Sequence, residues 1–415
     1  MEEKINLQSF FSDYVKRESI FKNKKILQSN YIPDEIPHRN SEVSYIANIL
    51  APCLKGEKPS NLFIYGKTGT GKTCVVKHVV SEIDEVLKKN QKKTKFFYLN
   101  CKLKRISDTE YRLIAQVCRE LGKDIPITGL PTEEVYNSFH KVIEDEKCNV
   151  VLILDEIDEL VMKIGDGILY TLTRINSELK NSQLSIIGIS NNVVFIESLD
   201  PRVRSSLSEE ELLFPTYNAL QLQDILKKRC NLAIRDGCVE QGLIEKCAAF
   251  AAREHGDARR AIELLRVSAE IADRRNCDQI MVIHLDEAED KIERERIVEI
   301  IKSQPRQHQL VLFSILSLNT TNQKNIFTGE AYELYLRLCA KVNLRPLTQR
   351  RVSDVISELD MLGVVNAKVI SKGRYGRTRD IKINLTNQLT SEIKHLLESV
   401  LDVDYSEISF LKRDS

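Results

Sequence analysis

Five apolar runs of strand length, Asn61 to Tyr65, Phe96 to Asn100, Val150 to Leu154, Ser185 to Ser190 and Glu211 to Phe214, alternate with stretches whose apolar residues recur at helical spacing. In Thr73 to Lys88, for example, Val76, Val79, Val80, Ile83 and Leu87 fall on one stripe. That alternation predicts an α/β fold built on a mostly parallel sheet. The strand signal stops after Phe214. From Tyr217 to about Glu299 the pattern is helical throughout, with Leu222, Ile225 and Leu226 in one segment and Ile262, Leu265 and Ile271 in another, which predicts a separate helical domain.

The last hundred residues change again. Helix-like stretches at Gln309 to Leu318, Gly329 to Val342 and Thr348 to Leu362 precede two β-rich runs, Val364 to Ile370 and Asp380 to Leu385. Helices followed by a hairpin with a basic, glycine-flexed tip predict a winged helix. Breaks at Gly56 to Ser60 and around Pro305 are short, and the divisions expected are residues 1–215, 216–302 and 303–415.

At 415 residues the chain is too long for one core, and 42% hydrophobic with 29% charged residues gives material for several. The net charge of +1 neither demands nor forbids a nucleic-acid partner, so local charge must decide. No apolar run approaches the roughly 18 residues of a membrane helix, and the acidic start Met1-Glu2-Glu3 is unlike a secretory leader; a cytoplasmic, membrane-free protein is expected. The ten cysteines contain no C-x-x-C pair and are expected to be buried thiols in a reducing compartment.

Gly66-Lys67-Thr68-Gly69-Thr70-Gly71-Lys72-Thr73 fits the phosphate-loop pattern G-x-x-x-x-G-K-[ST], directly after a predicted strand and opening a predicted helix. Its glycines allow backbone N–H groups to turn onto phosphates, Lys72 reaches the outer phosphates, and the Thr73 hydroxyl is a ligand for Mg²⁺. The run Val150 to Leu154 delivers Asp155 and Glu156 at a strand's carboxyl end, where ligands bind open α/β sheets. Asp155 suits Mg²⁺ held through water, and Glu156 suits polarisation of the attacking water. Asn191, at the tip of another strand, is either a turn former or a group that orients water near the terminal phosphate. Gly256-Asp257-Ala258-Arg259-Arg260 opens a helix whose arginines are either a solvated face or cations offered to a phosphate.

These motifs in this order, with Ile189 to Asn192, Leu199 to Leu207 and a winged-helix tail, resemble the archaeal origin-recognition and cell-division-control initiators, AAA+ ATPases related to eukaryotic origin-recognition and helicase-loading subunits. The resemblance covers nearly the whole chain, and the absence of a long amino-terminal extension suits an archaeal source. It implies an AAA+ domain, a helical lid and a winged helix. It implies Lys72 and Thr73 as Walker A, Asp155 and Glu156 as Walker B, Asn191 as sensor 1 and Arg259 as sensor 2, with Cys74 and Tyr217 also at the nucleotide. The leader from Ile20 through Tyr31-Ile32-Pro33 to Ile36-Pro37-His38-Arg39 looks like the segment that flanks the adenine. The trans-acting arginine of the family belongs near Asp200 to Leu207; Ser205-Ser206-Leu207 departs from the related eukaryotic pattern and leaves Arg202 and Arg204.

Between Lys341 and Asp380, nine basic residues stand against four acidic ones, a local +5. On the helix after Thr348, Val352, Val355, Ile356, Leu359 and Leu362 form the expected buried stripe, leaving Gln349, Arg350, Ser353, Asp354 and Ser357 outward for a major groove. The tip carries Lys372, Arg374, Tyr375, Arg377 and Arg379 for phosphates or the minor groove; protein contact is the other use of such a domain. By position in the family, residues Asp108 to Val135 would be an inserted helical element that touches the duplex. The basic run Lys88 to Arg105 is either part of that surface or a solvated face. The implied function is an ATP- and ADP-binding initiator with slow, switch-like hydrolysis. It would bind origin duplex DNA at the nucleoid, help load the MCM replicative helicase and work with paralogous initiator subunits. A DNA-remodelling or branch-migration motor, and an ATP-binding transcription or plasmid-maintenance regulator, share the same order of parts.

Overall fold

Strands β1 (Leu62–Tyr65), β2 (Thr94–Asn100), β3 (Asn149–Asp155), β4 (Gln183–Ser190) and β5 (Glu210–Leu213) form one parallel sheet in the order β2-β3-β4-β1-β5. The computed structural model describes residues 17–90, 94–102, 109–126, 129–319, 326–371 and 377–403. β3 is buried at every position, which is why its sequence runs apolar without alternation. Val151 and Ile153 pack with residues of α1 (Asn40–Leu50) and α2 (Lys72–Lys89) on one face. Val150, Leu152 and Leu154 meet α3 (Glu110–Glu120), α4 (Thr132–Glu146), α5 (Ile157–Ile164), α6 (Gly167–Arg174) and α7 (Pro201–Leu207) on the other. Strand order reverses beside β1, so the carboxyl ends of β1, β3 and β4 share the edge where such sheets hold ligands.

The helical stretch resolves into α8 (Ala219–Ala233), α9 (Leu243–Arg253) and α10 (Ala258–Arg274). α8 is opened by a capping box in which Asn218 and Gln221 satisfy each other's backbone N–H groups. Leu222, Ile225, Leu226 and Leu265 are buried as expected, whereas Ile262 and Ile271 are only half-buried. The leader lies along this region: the Lys22 amide donates to the Ala233 carbonyl at 2.8 Å and the Arg235 amide to the Ile20 carbonyl at 2.9 Å.

The chain forms two compact units, Met1–Ala288 and Glu289–Ser415, and the division falls inside α11 (Val282–Ser303). In the second unit, α12 (Arg306–Asn319), α13 (Thr328–Lys341), α14 (Gln349–Met361) and α15 (Asn387–Leu401) surround a three-stranded sheet, β6 (Ile326–Phe327), β8 (Arg377–Ile383) and β7 (Val365–Ser371), in that spatial order. α12 is buried from Gln309 to Leu318 and forms the centre of this core. The two-residue β6 is too short to show in the pattern. β8 begins at Arg377 and ends at Ile383, earlier than the expected Asp380 to Leu385, because hairpin pairing from Ser371↔Arg377 to Val365↔Ile383 carries the strand beyond its apolar part.

Leu362 corrects the expected stripe: it follows the last turn of α14 as its C-cap and is 37% exposed, while Val352, Val355, Ile356 and Leu359 are buried. The thiol expectation also needs correction at Cys74 and Cys277, which are partly exposed; the other eight cysteines are buried, and all ten are free. No helix among the described residues is long and apolar enough to cross a membrane.

Candidate functional site

The turn from β1 into α2 is the phosphate-loop segment. Gly66 lets it close: a Cβ there would lie 2.5 Å from the Phe214 carbonyl oxygen. Lys72 is 4% exposed, and its Nζ donates to the carbonyls of Gly66 and Lys67, each at 2.7 Å. Burial, followed by the positive charge of Arg259, pulls its ammonium down to about 8. Two cations thus meet in a partly desolvated site, which is the electrostatic condition that a phosphate group relieves. The Thr70 hydroxyl donates to the Lys67 carbonyl, while Lys67 and Thr68 form an exposed rim.

At the end of β3, Asp155 is nearly buried. Its Oδ2 accepts from the Thr73 hydroxyl at 2.8 Å and from the Tyr98 phenol at 2.5 Å, and its Oδ1 from the Glu156 amide at 3.1 Å. Burial, then the Asp155 carboxylate, pushes the Tyr98 phenol well above its usual range, so it remains a donor. Glu156 has φ +57° and ψ 48°, a left-handed conformation that costs a non-glycine residue free energy and recurs at functional positions. Its carboxylate lies 3.5 Å from the Lys102 ammonium. Thr73 Oγ1 and the Asp155 carboxylate are hard oxygen donors beside the loop, a set that fits Mg²⁺.

One small cavity is lined by Gly69, Thr70, Gly71, Lys72, Thr73, Asp155, Glu156, Asn191 and Arg259, so the structure brings together the residues assigned to phosphate chemistry. Arg259 is the arginine of the pair that faces it; Arg260 is drawn to Glu254 at 3.2 Å. An adjoining cavity of about 570 Å³ is walled by Tyr31, Ile32, Cys74, Tyr217 and Ile262 among others. Arg202 is paired with Asp200 at 3.1 Å, the cap of its own helix, whereas Arg204 is exposed on the same helix.

Two groups at this site carry no signal in the sequence pattern. Tyr98 looks like any strand aromatic. Arg39 stands only as the end of the leader, yet it is 2% exposed and central: its Nε donates to the Thr70 carbonyl at 3.0 Å and the Tyr217 hydroxyl at 3.1 Å. Its Nη1 donates to Glu42 at 2.8 Å and its Nη2 to the Pro215 carbonyl, and the guanidinium lies over the Tyr217 ring at 4.1 Å. One side chain therefore joins the phosphate loop to the segment leading into α8.

Gly69 makes the second such junction. Its φ is +70°, and a Cβ would stand 1.7 Å from Oδ1 of Asp257, the residue that caps α10 by accepting from the amides of Arg259 and Arg260. Gly69→Ala is therefore expected to cost about 2 kcal/mol or more, from the left-handed backbone and the displaced cap. Urea denaturation of Gly69→Ala, Asp257→Ala and the double variant checks this. Asp257→Ala alone should cost about 1 kcal/mol, and the double variant less than the sum of the two. Strict additivity would rule out the contact as the cause.

In the second unit, Thr348 caps α14 through its hydroxyl, and Gln349, Arg350 and Asp354 are exposed as expected. Ser353 and Ser357 are half-buried, because Ser357 donates to the Ser353 carbonyl and the Ser353 hydroxyl accepts from Arg379 Nε at 3.2 Å. Arg379 thereby ties the hairpin to the helix it flanks. Arg377 begins β8, and Lys372, Arg374 and Tyr375 lie outside the described residues. Of the expected inserted element, α3 buries Leu113, Ile114, Val117 and Cys118 in the sheet's core, and α4 runs on to Glu146, well past Val135. Asp108, Ile127 and Thr128, and 91–93 and 103–105 of the basic run, lie outside the described residues.

Family models match three stretches: an AAA domain over residues 56–192, a Cdc6 AAA+ ATPase-type lid domain over 223–290, and a CDC6 C-terminal winged helix domain over 299–392. The chain is 47% identical over 407 residues to the ORC1-type DNA replication protein of Thermococcus onnurineus, covering 96% of this chain and 97% of that protein. It is 49% identical over 388 residues to the protein of the same description from Pyrococcus abyssi, covering 92% of each. Among solved structures, it resembles the Aeropyrum pernix ORC1 protein in complex with DNA at 41% identity and a TM-score of 0.80, over 92% of this chain and 98% of that one. Pyrobaculum aerophilum Cdc6p shares the fold, at 22% identity and a TM-score of 0.57.

Proposed function

The chain belongs to the ORC1-type family of DNA replication proteins, and from that premise we propose that it is an ATP-dependent initiator that binds origin duplex DNA and helps load the MCM replicative helicase, with nucleotide state as its switch. The observation that carries the reading is the shared cavity: the end of β3 contributes Asp155 with Glu156 next after it, the first turn of α2 contributes Lys72 and Thr73, and α10 contributes Arg259. In this reading Arg259 senses phosphate from the helix whose cap, Asp257, lies against Gly69, and occupancy would act on the position of that helix.

In this reading Gly66 to Thr73 wraps the phosphates, Lys72 neutralises the outer ones, and Cys74, Tyr217 and the leader near Tyr31 enclose the base. Thr73 and Asp155 would hold Mg²⁺, which when bound supplies charge neutralisation at the phosphates. Glu156 takes a proton from the attacking water and Asn191 orients that water. Arg259 contacts the phosphates from the helical segment, residues 216–302. Because Arg202 is drawn back onto Asp200, Arg204 is the better placed of the two arginines to reach a neighbouring paralogous subunit.

Residues 303–415 would grip duplex DNA, with Gln349, Arg350 and Ser353 toward the major groove and the hairpin tip toward phosphates. Origin fragments should be retained over unrelated DNA at physiological salt, and with different lifetimes in ATP and ADP; equal retention of both DNAs sinks the origin-binding reading. Arg350→Ala, and separately Arg374→Ala, should each flatten the log–log salt dependence of affinity by about one unit for every phosphate left without its cation. A slope unchanged in both variants would remove this face from the interface.

A further inference from the structure

Tyr98 donates to the carboxylate that the nucleotide reading assigns to Mg²⁺, yet it does not line the cavity that collects the phosphate-facing residues. We propose that Tyr98 is a positioning residue for the metal: by holding Asp155 Oδ2 from the β2 side, its hydroxyl fixes the carboxylate orientation on which Mg²⁺ affinity depends. The inference rests on the proposed nucleotide function and adds to it a residue outside the phosphate loop and the acidic pair.

The geometry is over-determined around one carboxylate. Asp155 Oδ1 accepts the Glu156 amide at 3.1 Å, which faces one oxygen back along the chain. Oδ2 accepts two hydroxyl protons, from Thr73 on α2 and from Tyr98 on the neighbouring strand. Thr73 has a single hydroxyl proton. Donating it to Asp155 leaves only lone pairs on Oγ1, the state in which that oxygen is a metal ligand. The arrangement needs Oδ2 to stay within reach of Thr73, and the second donor, on the strand that neighbours β3, helps hold it there.

Tyr98 is itself held at both ends. Its ring lies under the Lys77 ammonium at 3.8 Å, and Lys77 stands one turn after Thr73 on the same helix. α2 thus sets both the metal-facing hydroxyl and the ring that carries the second donor. The ring also walls a separate cavity of about 250 Å³, with Phe96 and Ser81, distinct from the one that collects the phosphate-facing residues. A phenol placed there reaches the carboxylate without touching nucleotide, which makes its role one of orientation and not of chemistry. Partners that orient ligating carboxylates commonly set metal affinity by tenfold or more.

Tyr98→Phe keeps the ring, its contact with Lys77 and its volume, and removes only the hydroxyl. A non-hydrolysable ATP analogue is titrated into the full chain, wild type and Tyr98→Phe, first in EDTA and then across a Mg²⁺ series, with the melting temperature without nucleotide measured alongside. Affinity in EDTA should be nearly unchanged and the melting temperature should fall only by the few degrees that one lost hydroxyl–carboxylate hydrogen bond accounts for, while the Mg²⁺ concentration giving half of the affinity enhancement should rise about tenfold. An unchanged or lower Mg²⁺ requirement in Tyr98→Phe overturns the proposal. Equal losses with and without Mg²⁺ also overturn it, because they would show a general packing role. If the wild type binds the analogue with no Mg²⁺ enhancement, the assignment of Asp155 itself fails, a result separate from failure of Tyr98.

Discussion

Lys72→Ala is expected to remove most of the stabilisation that a nucleoside triphosphate confers on the folded protein. The wild type at a hundredfold excess over its Kd gains about 2.7 kcal/mol from bound ligand. Charge-assisted hydrogen bonds are worth roughly 1.5–3 kcal/mol each, so loss of the buried ammonium lowers affinity by about two orders of magnitude. Thermal unfolding with and without ATP reads this directly: a shift of several degrees in the wild type and about one degree or less in the variant, whose ligand is then near its Kd and contributes only about 0.4 kcal/mol. An undiminished shift would remove Lys72 from the phosphate site.

The same residue predicts a pH dependence. Lys72 is lowered from 10.5 to about 8 in the ligand-free protein by burial and by Arg259. Between those values the unfolded chain binds more protons than the folded one, so stability rises with pH across that window. Below about pH 8 the buried cation costs the folded state roughly 3 kcal/mol. A phosphate beside it raises the ammonium again, so binding takes up a proton above pH 8 and affinity falls toward tenfold per pH unit. Calorimetry at pH 7 and 9 in buffers of different ionisation enthalpy measures that uptake. Equal affinity at both pH values in the wild type would contradict it, and Lys72→Ala should lack the uptake.

Sequence makes the sheet legible where burial is two-sided. β3 reads as an unbroken apolar run because both of its faces are covered, and the phosphate loop announces itself through glycines whose conformations only glycine adopts cheaply. Other features are set by long-range contacts that local pattern does not encode. Arg39 meets Thr70 and Tyr217 across 31 and 178 residues, so nothing around it signals a buried cation. Tyr98 has the look of any strand aromatic until its hydroxyl is seen on Asp155. At the wing, Arg377, Thr378 and Arg379 carry no apolar signal, and backbone pairing with Val369 to Ser371 is what makes them strand. Leu362 leaves the stripe because apolar periodicity continues one residue past the turn that ends α14.

Glu156→Gln is expected to leave nucleotide affinity within about threefold of wild type and to lower turnover by at least about a hundredfold, the contribution typical of a general base. The substitution is close to isosteric, keeps the backbone of residue 156 and leaves Asp155 with its three donors, so any loss falls on proton transfer. Single-turnover hydrolysis together with equilibrium binding separates the two effects, and normal hydrolysis would exclude Glu156 as the base. Glu156→Gly adds an independent arm. At φ +57° a glutamate carries a backbone cost that glycine lacks, about 1 kcal/mol, so this variant should be more stable than wild type while equally impaired in turnover. A gain in stability with a loss of activity from one substitution is what distinguishes strain held in place for chemistry from an incidental turn.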